Sequence, residues 1–283
     1  MVLLAMIVGL GVYVAGRVID GSLPMPRPRA CTVYETSQDR AGMDTRKVKL
    51  NSAQMANAAT IAAIGMRRGL PERAIVVALA TAFQESSMEN LPGGDRDSVG
   101  LFQQRPSQGW GTIEQIRDPR YAATQFYKAL EKVRGWEQMR VTDAAQAVQR
   151  SAFPEAYEKW ADEAEVMASA LMGNTTGAVA CSVARKPAMR GNGAATALTA
   201  ELALDWGRLT TATPAELLGV ALPASDVQVG WRYAHWLVSH AGRHGVKRVR
   251  FGALQWTAER GAWSPAPDSP IADMVIAEVF PDV

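Results

Sequence analysis

The chain has 283 residues, enough for one substantial core and a second, smaller unit. With 48% hydrophobic and 20% charged residues it is not a wholly disordered chain. A formal net charge of +2 excludes a nucleic-acid binder working through a strongly basic surface, and leaves only mild attraction to anionic polymers.

From Val2 to Gly16 the chain is apolar and uncharged; Arg17 interrupts, and Val18 and Ile19 follow. A membrane span needs about 20 apolar residues, so the run is slightly short unless Arg17 snorkels to the interface. No basic segment precedes it and no small-residue cleavage site follows. The expectation is therefore an uncleaved membrane anchor over residues 1–20, with a buried soluble helix as the plain alternative. Alternating Pro24, Pro26 and Pro28 predict an extended, semi-rigid stalk over residues 21–49.

Ser52 is placed to cap a helix running through Met55, Ala59, Ala62 and Met66 and stopping at Gly69. Pro71 opens a second helix, with Glu72 in its first turn. Its IVVALATAF run (75–83) is apolar nearly all round, the pattern of a buried central helix, and Glu85 stands at its carboxyl end. The turn-forming stretch LPGGDRDS and a short extended piece, VGLFQQ, follow. Asp118-Pro119 starts a helix through Ala122, Phe126, Leu130 and Val133, ending near Gly135. Thr142 caps the next helix, broken at Phe153-Pro154, and a last one reaches Leu171 before Gly173-Asn174.

Residues 175–194 are small and polar and predict a linker. Beyond it, helices near Leu198–Trp206 and Val229–His244 join strand-like KRVRFGALQW and MVIAEVF segments in a small α+β module over 195–283. No internal repeat of solenoid period occurs. Cys31 and Cys181 flank the helical block. They are either a disulfide tying its ends, as suits an exported protein, or two unrelated buried thiols. Neither has a partner at zinc-ligand spacing. His240 and His244 are i,i+4 neighbours close to His235, but no HExxH glutamate accompanies them. A solvated helix face explains them, and neither metal nor cofactor is expected. Trp231, Trp236, Trp256 and Trp263 are either the module's core or a glycan-binding face.

A carboxyl at the end of an apolar helix faces the negative pole of the helix dipole, and burial further disfavours its charge. A proton donor to a glycosidic oxygen needs that arrangement, but a solvated helix-end residue fits the position equally well. The combination FQESS, a turn loop, Gly100-Leu101-Phe102-Gln103 and Arg105-Pro106 resembles the lytic transglycosylase motif of the lysozyme superfamily, with Phe102 where that family has Met. DPRYAATQFYKAL resembles the family's next helix. The likeness covers about residues 50–173.

The resemblance implies a mainly α fold: a lysozyme-like helical domain over 50–174 with a short hairpin insertion, plus the α+β module. It implies cleavage of the MurNAc–GlcNAc β-1,4 bond of peptidoglycan. Glu85 matches the family's acid and base, Ser86 the serine beside it, and Gln103 the cleft glutamine, with Gln104 next to it. The family's later Ala-Tyr-Asn-Ala-Gly, whose Tyr bonds the acid, is absent. AQAVQRSAFPEAY stands there, and either Gln149 or Tyr157 substitutes or nothing does. Asp95 and Asp97 lie where goose-type lysozymes carry downstream acids. Either one facing the cleft would activate water and give inverting hydrolysis, whereas turn-forming Asp is the plain reading. Trp110, between two glycines, would stack on a sugar ring or be buried, and Arg105 would meet a stem-peptide carboxylate or solvent.

The partners implied are peptidoglycan strands, the membrane through the N-terminal helix, and a protein partner for the tail module, with no nucleic acid. GWRYAHWLVSHAGRHGVKRVRFGALQW is similar to tail modules of actinobacterial wall proteins. The cell-wall side of the membrane is the expected location. Arg17, Arg27 and Arg29 all follow the apolar run, however, and positive-inside counting alone would put the body on the opposite side. A non-catalytic wall-binding scaffold is the competing class of function.

Overall fold

The computed structural model describes residues 30–35, 46–184, 186–211, 217–268 and 270–282. The expected anchor and the proline run lie outside them. Among the described residues no helix is long and apolar enough to cross a membrane.

Helix α1 (Ser52–Arg67) starts one residue earlier in its capping than expected. Asn51, not Ser52, is the cap. Its Oδ1 accepts from the amides of Ala53 and Gln54, while Gln54 Oε1 accepts the Asn51 amide, so two otherwise orphaned donors are satisfied reciprocally. Helix α2 (Glu72–Ser86) is buried at every position from Ala74 to Phe83, as an all-apolar circumference requires. The short α3 (Ile113–Ile116) packs on α4 (Pro119–Leu130), and around α2 pack α1, α4, α5 (Val141–Gln149) and α6 (Ala161–Leu171). Helix α5 starts at Val141, and the Thr142 hydroxyl donates to the Pro154 carbonyl instead of capping.

The mainly α expectation is overturned: 48% of the described residues are helix and 18% strand, in two antiparallel sheets. The first sheet draws β1 (Cys31–Tyr34) and β2 (Lys47–Leu50) from the expected stalk and β3 (Val179–Cys181) from the expected linker, in the order β2-β1-β3. These strands are three or four residues long, and β3 is buried at every position, so no alternation marks it in the sequence. Cys31 and Cys181 are directly opposed across β1 and β3 and are joined as a disulfide.

The second sheet has the order β4-β8-β5-β6-β7, from β4 (Gly219–Pro223), β5 (Val246–Gly252), β6 (Leu254–Thr257), β7 (Ala262–Pro265) and β8 (Ile271–Val279). Its apolar face, with Val249, Phe251, Trp256, Trp263, Val275 and Ala277, is covered by α8 (Val227–Ser239). Gly230 of α8 permits that approach, since a Cβ there would lie 1.9 Å from the Phe251 ring. Trp231, Trp236, Trp256 and Trp263 are all buried, so they form core, and the three histidines expected on a solvated face are buried too. His235 explains itself: its Nε2 accepts the Ala178 amide, and its Nδ1 lies 2.6 Å from the Ala170 carbonyl.

The tail is therefore built onto the helical block. Asp205, on α7 (Gly191–Trp206), is fully buried and accepts at Oδ2 from Thr60 of α1 and Trp236 of α8, both at 2.8 Å. Arg120 Nε of α4 lies 2.7 Å from its Oδ1 without an aligned hydrogen bond, so charge holds that contact. Burial pushes the Asp205 carboxyl up against the pull of Arg120. His240 stacks on Trp236 at 3.9 Å, and its Nε2 and both nitrogens of His244, in α9 (Ala241–His244), lack hydrogen-bond partners among the described residues.

Two predictions follow from these packings. The disulfide closes a sequence separation of 150 residues. Replacing both cysteines by serine should cost roughly 2–4 kcal/mol in urea unfolding, because long loops gain most from closure. Burial also holds His240 and His244 down at about 4, from an ordinary 6.5. Between those values the unfolded chain binds more protons, so their contribution is intact above 6.5 and is lost as pH falls toward 4. The melting temperature should drop across that window, and the drop should be shallower in the His240→Gln/His244→Gln variant.

Candidate active site

The site begins with a reversal of the chain. Helix α2 ends just after Glu85, and Ser87 and Met88 both take left-handed backbone conformations, with φ of 53° and 61°. Non-glycine residues adopt this region at a cost and need support. Here the amides of Ser87 and Met88 donate to the Phe83 and Ala82 carbonyls. Their own carbonyls accept from Gln54 Nε2 and Asn57 Nδ2 of α1, each at 2.8 Å, and Met88 is buried. Asn51 Nδ2 also holds the Glu89 carboxylate at 2.8 Å. The first turns of α1 therefore fix the end of α2. In the sequence this clamp has no signal beyond the run of amide side chains at Asn51, Gln54 and Asn57.

The hairpin forms through one bridge between Val99 and Gln104. Gly100, at φ 78°, turns against α3, where a Cβ would meet the Ile116 carbonyl at 2.8 Å. Leu101 and Phe102 are fully buried, and Phe102 stacks on Phe126 of α4 at 4.7 Å. Their carbonyls are pinned from two helices: the Ser86 hydroxyl donates to Leu101 O at 2.7 Å, and Gln149 Nε2 of α5 donates to Phe102 O at 2.7 Å.

Glu85 is half-buried at this junction. The Tyr157 hydroxyl donates to its Oε1 at 2.6 Å. Tyr157 is fully buried within a 3-10 segment, Pro154–Trp160, that follows the break at Phe153-Pro154. Burial, then the bond to Glu85, hold its phenol above the usual range, so it remains a neutral donor. In the same segment Trp160 stacks on Phe83 at 5.0 Å, and its Nε1 donates to Gln84 at 3.0 Å. The i,i+3 spacing of Tyr157 and Trp160 puts both on one side of the turn, and that spacing is the only sequence signal for Trp160.

Of the two candidates to replace the absent tyrosine, Tyr157 meets Glu85 and Gln149 meets the hairpin. Several residues expected to touch substrate have other partners. Ser86 is buried against Leu101. Gln104 is buried, and its Nε2 donates to the Ala122 carbonyl at 3.1 Å. Gln103, at φ 47°, is half-buried on the hairpin, with Nε2 on Gly100 O and Oε1 receiving the Ser98 hydroxyl.

Asp97 accepts from Arg105 Nε at 2.8 Å and from the Ser107 amide and hydroxyl at 2.8 and 3.0 Å. Arg105 and Ser107 together hold its carboxyl well below the usual range. It locks the loop as an ion, and Arg105 serves the same contact. Asp95 is exposed on the loop. Trp110 is half-buried along a groove of about 710 Å³ that also runs past Gln149 and Arg150. Among the described residues no group of three or more His, Cys, Asp or Glu is arranged to hold a metal ion.

Gln149→Leu would leave the buried side of the Phe102 carbonyl without its donor. The expected cost is about 1–3 kcal/mol, read as a lower melting temperature together with faster amide exchange confined to residues 99–104. A lower melting temperature without that local signature would contradict the pinning role. The sequence matches no protein-family model, and no curated protein is significantly similar to it.

Proposed function

We propose that the chain cleaves the β-1,4 bond between N-acetylmuramic acid and N-acetylglucosamine in peptidoglycan, as a lytic transglycosylase acting on the cell-wall side of the membrane. The observation that carries the reading is the 2.6 Å bond from Tyr157 to Glu85, at the mouth of the junction between α2 and the Gly100–Gln103 turn. It supplies the tyrosine support that the sequence motif lacks at its usual place. The Cys31–Cys181 disulfide favours an oxidising location.

In this reading Oε1 of Glu85 accepts from Tyr157, leaving Oε2 to carry the acidic proton. That proton passes to the bridging oxygen as the bond to the muramic C1 breaks. The acetamido oxygen of the same sugar attacks C1 and forms a cyclic oxazolinium. Glu85, now a carboxylate steadied by Tyr157, takes the proton of the 6-hydroxyl. O6 attacks C1, the oxazolinium opens, and the 1,6-anhydro end forms. No second carboxylate is needed. Asp97, tied to Arg105 and Ser107 as a stable anion, is a poor base for water, which favours this route over inverting hydrolysis.

Zymography on purified peptidoglycan, with mass analysis of released muropeptides, tests the reading. Wild type should clear the wall and leave anhydro ends. Glu85→Gln should lose roughly 10²–10⁴-fold. Tyr157→Phe should lose about 10–100-fold in kcat, as expected for a hydrogen bond to a charged group. Reducing ends would mean hydrolysis. Wall binding by wild type without clearing would mean a scaffold.

A further inference from the structure

One face of α4 and its extension carries Gln125, Lys128, Ala129, Lys132 and Val133, at the 3.6-residue period of a single stripe. Opposite lie Ala147 and Val148 of α5, followed by Gln149 and Arg150, and the end is closed by Gln108, Gly109 and Trp110. The groove between them, about 710 Å³, is of the size that takes an organic ligand. Its lining includes three cationic side chains, Lys128, Lys132 and Arg150, and no acidic one. All three are exposed and none is in an ion pair among the described residues, whereas Arg68, Arg105, Arg120 and Arg140 each pair with a carboxylate. Trp110 adds a flat aromatic surface to the same groove.

The groove is coupled to the Glu85 site by the chain itself. Gln149 on its wall holds the Phe102 carbonyl of the hairpin. The adjacent Leu101 carbonyl accepts from the hydroxyl of Ser86, the residue next to Glu85. The groove wall and the neighbour of Glu85 thus hold the same hairpin turn.

We propose that this groove binds a sugar ring of the glycan strand on Trp110 and, over Lys128, Lys132 and Arg150, the carboxylates of the peptide stem that the strand carries. It is a subsite for stem-bearing rather than stem-free strands. Aromatic faces suit the apolar face of a pyranose, and unpaired cations in a concave site suit carboxylates. The proposal rests on Glu85 being the site of cleavage, because the groove's place beside the same hairpin is what makes the occupant the strand being cut.

The test measures binding, not turnover. Soluble glycan strands, with stems intact or removed by an amidase, are titrated calorimetrically into the Glu85→Gln protein. Stem-bearing strands should bind about tenfold tighter, and the difference should shrink as salt rises. Lys128→Ala/Lys132→Ala with Arg150→Asn should abolish the difference. Asn is used because Arg150 has a φ of 52°, which Asn tolerates. Trp110→Ala should weaken both kinds of strand.

Equal binding of both strands by the Glu85→Gln protein, or a stem preference that survives the triple change, would overturn the proposal. So would displacement of stem-bearing strands by a phosphodiester wall polymer in preference to free muramyl peptide, since that would assign the groove to phosphate. These readouts do not depend on cleavage. Failure of wall clearing with the stem preference intact would therefore count against the catalytic reading alone, and clearing without the preference against the subsite alone.

Discussion

The geometry of the site depends on how the chain leaves α2. A helix that is apolar on every side has to be buried along its whole length, and its last carboxyl-bearing residue would be buried with it if the helix ran on. The paired left-handed residues Ser87 and Met88 stop it at once, and the amide side chains of Asn51, Gln54 and Asn57 hold the reversal by bonding its carbonyls and the Glu89 carboxylate. Glu85 is left half-buried at the edge of the core, open on one side and anchored on the other. The cap of one helix and the exit of the next are thus the same cluster of side chains, so the register of α1 sets the position of Glu85.

On that base the hairpin and the 3-10 segment are placed from opposite directions. Ser86 and Gln149 bond consecutive carbonyls of the hairpin from α2 and α5, so the turn cannot shift relative to either helix without losing a bond. Tyr157 and Trp160 dock on the end of α2 through Glu85, Gln84 and Phe83. Asp97 belongs to this scaffolding, because its carboxylate stitches the turn loop to Arg105 and Ser107. A loop rich in turn formers becomes a wall because Asp97 and Ser98 on it have structural partners.

The tail is part of the same framework. Asp205 is bonded by residues from α1 and α8 and faces Arg120 of α4, so helices on both sides of the 175–194 segment share one buried carboxylate. His235 accepts the Ala178 amide and Trp263 donates to the Val179 carbonyl, and the disulfide closes the sheet beside them. Removing one partner of such a cluster exposes the others to an uncompensated burial cost, which makes the two parts fold as neighbours rather than as beads on a linker.

By itself the sequence determined the helices whose signals are local. Those signals were the apolar circumference of α2, the Asp118-Pro119 start of α4, the break at Phe153-Pro154, and the spacing that brings Glu85 under the Gly100–Gln103 turn. The resemblance carried by its motif also raised Gln149 and Tyr157 as candidate partners of Glu85, alongside the absence of any. Only the tertiary structure decided between them, because which side chain reaches a carboxylate depends on how α5 and the 3-10 segment pack, and no periodicity encodes that. The same holds for the first sheet, whose strands are too short to show alternation and exist only as partners of one another across a separation of 150 residues. It holds as well for the histidines, Ser86, Gln104 and Asp97. A polar side chain reads the same in sequence whether it faces solvent, substrate or a buried carbonyl, and the difference lies in what the fold places opposite it.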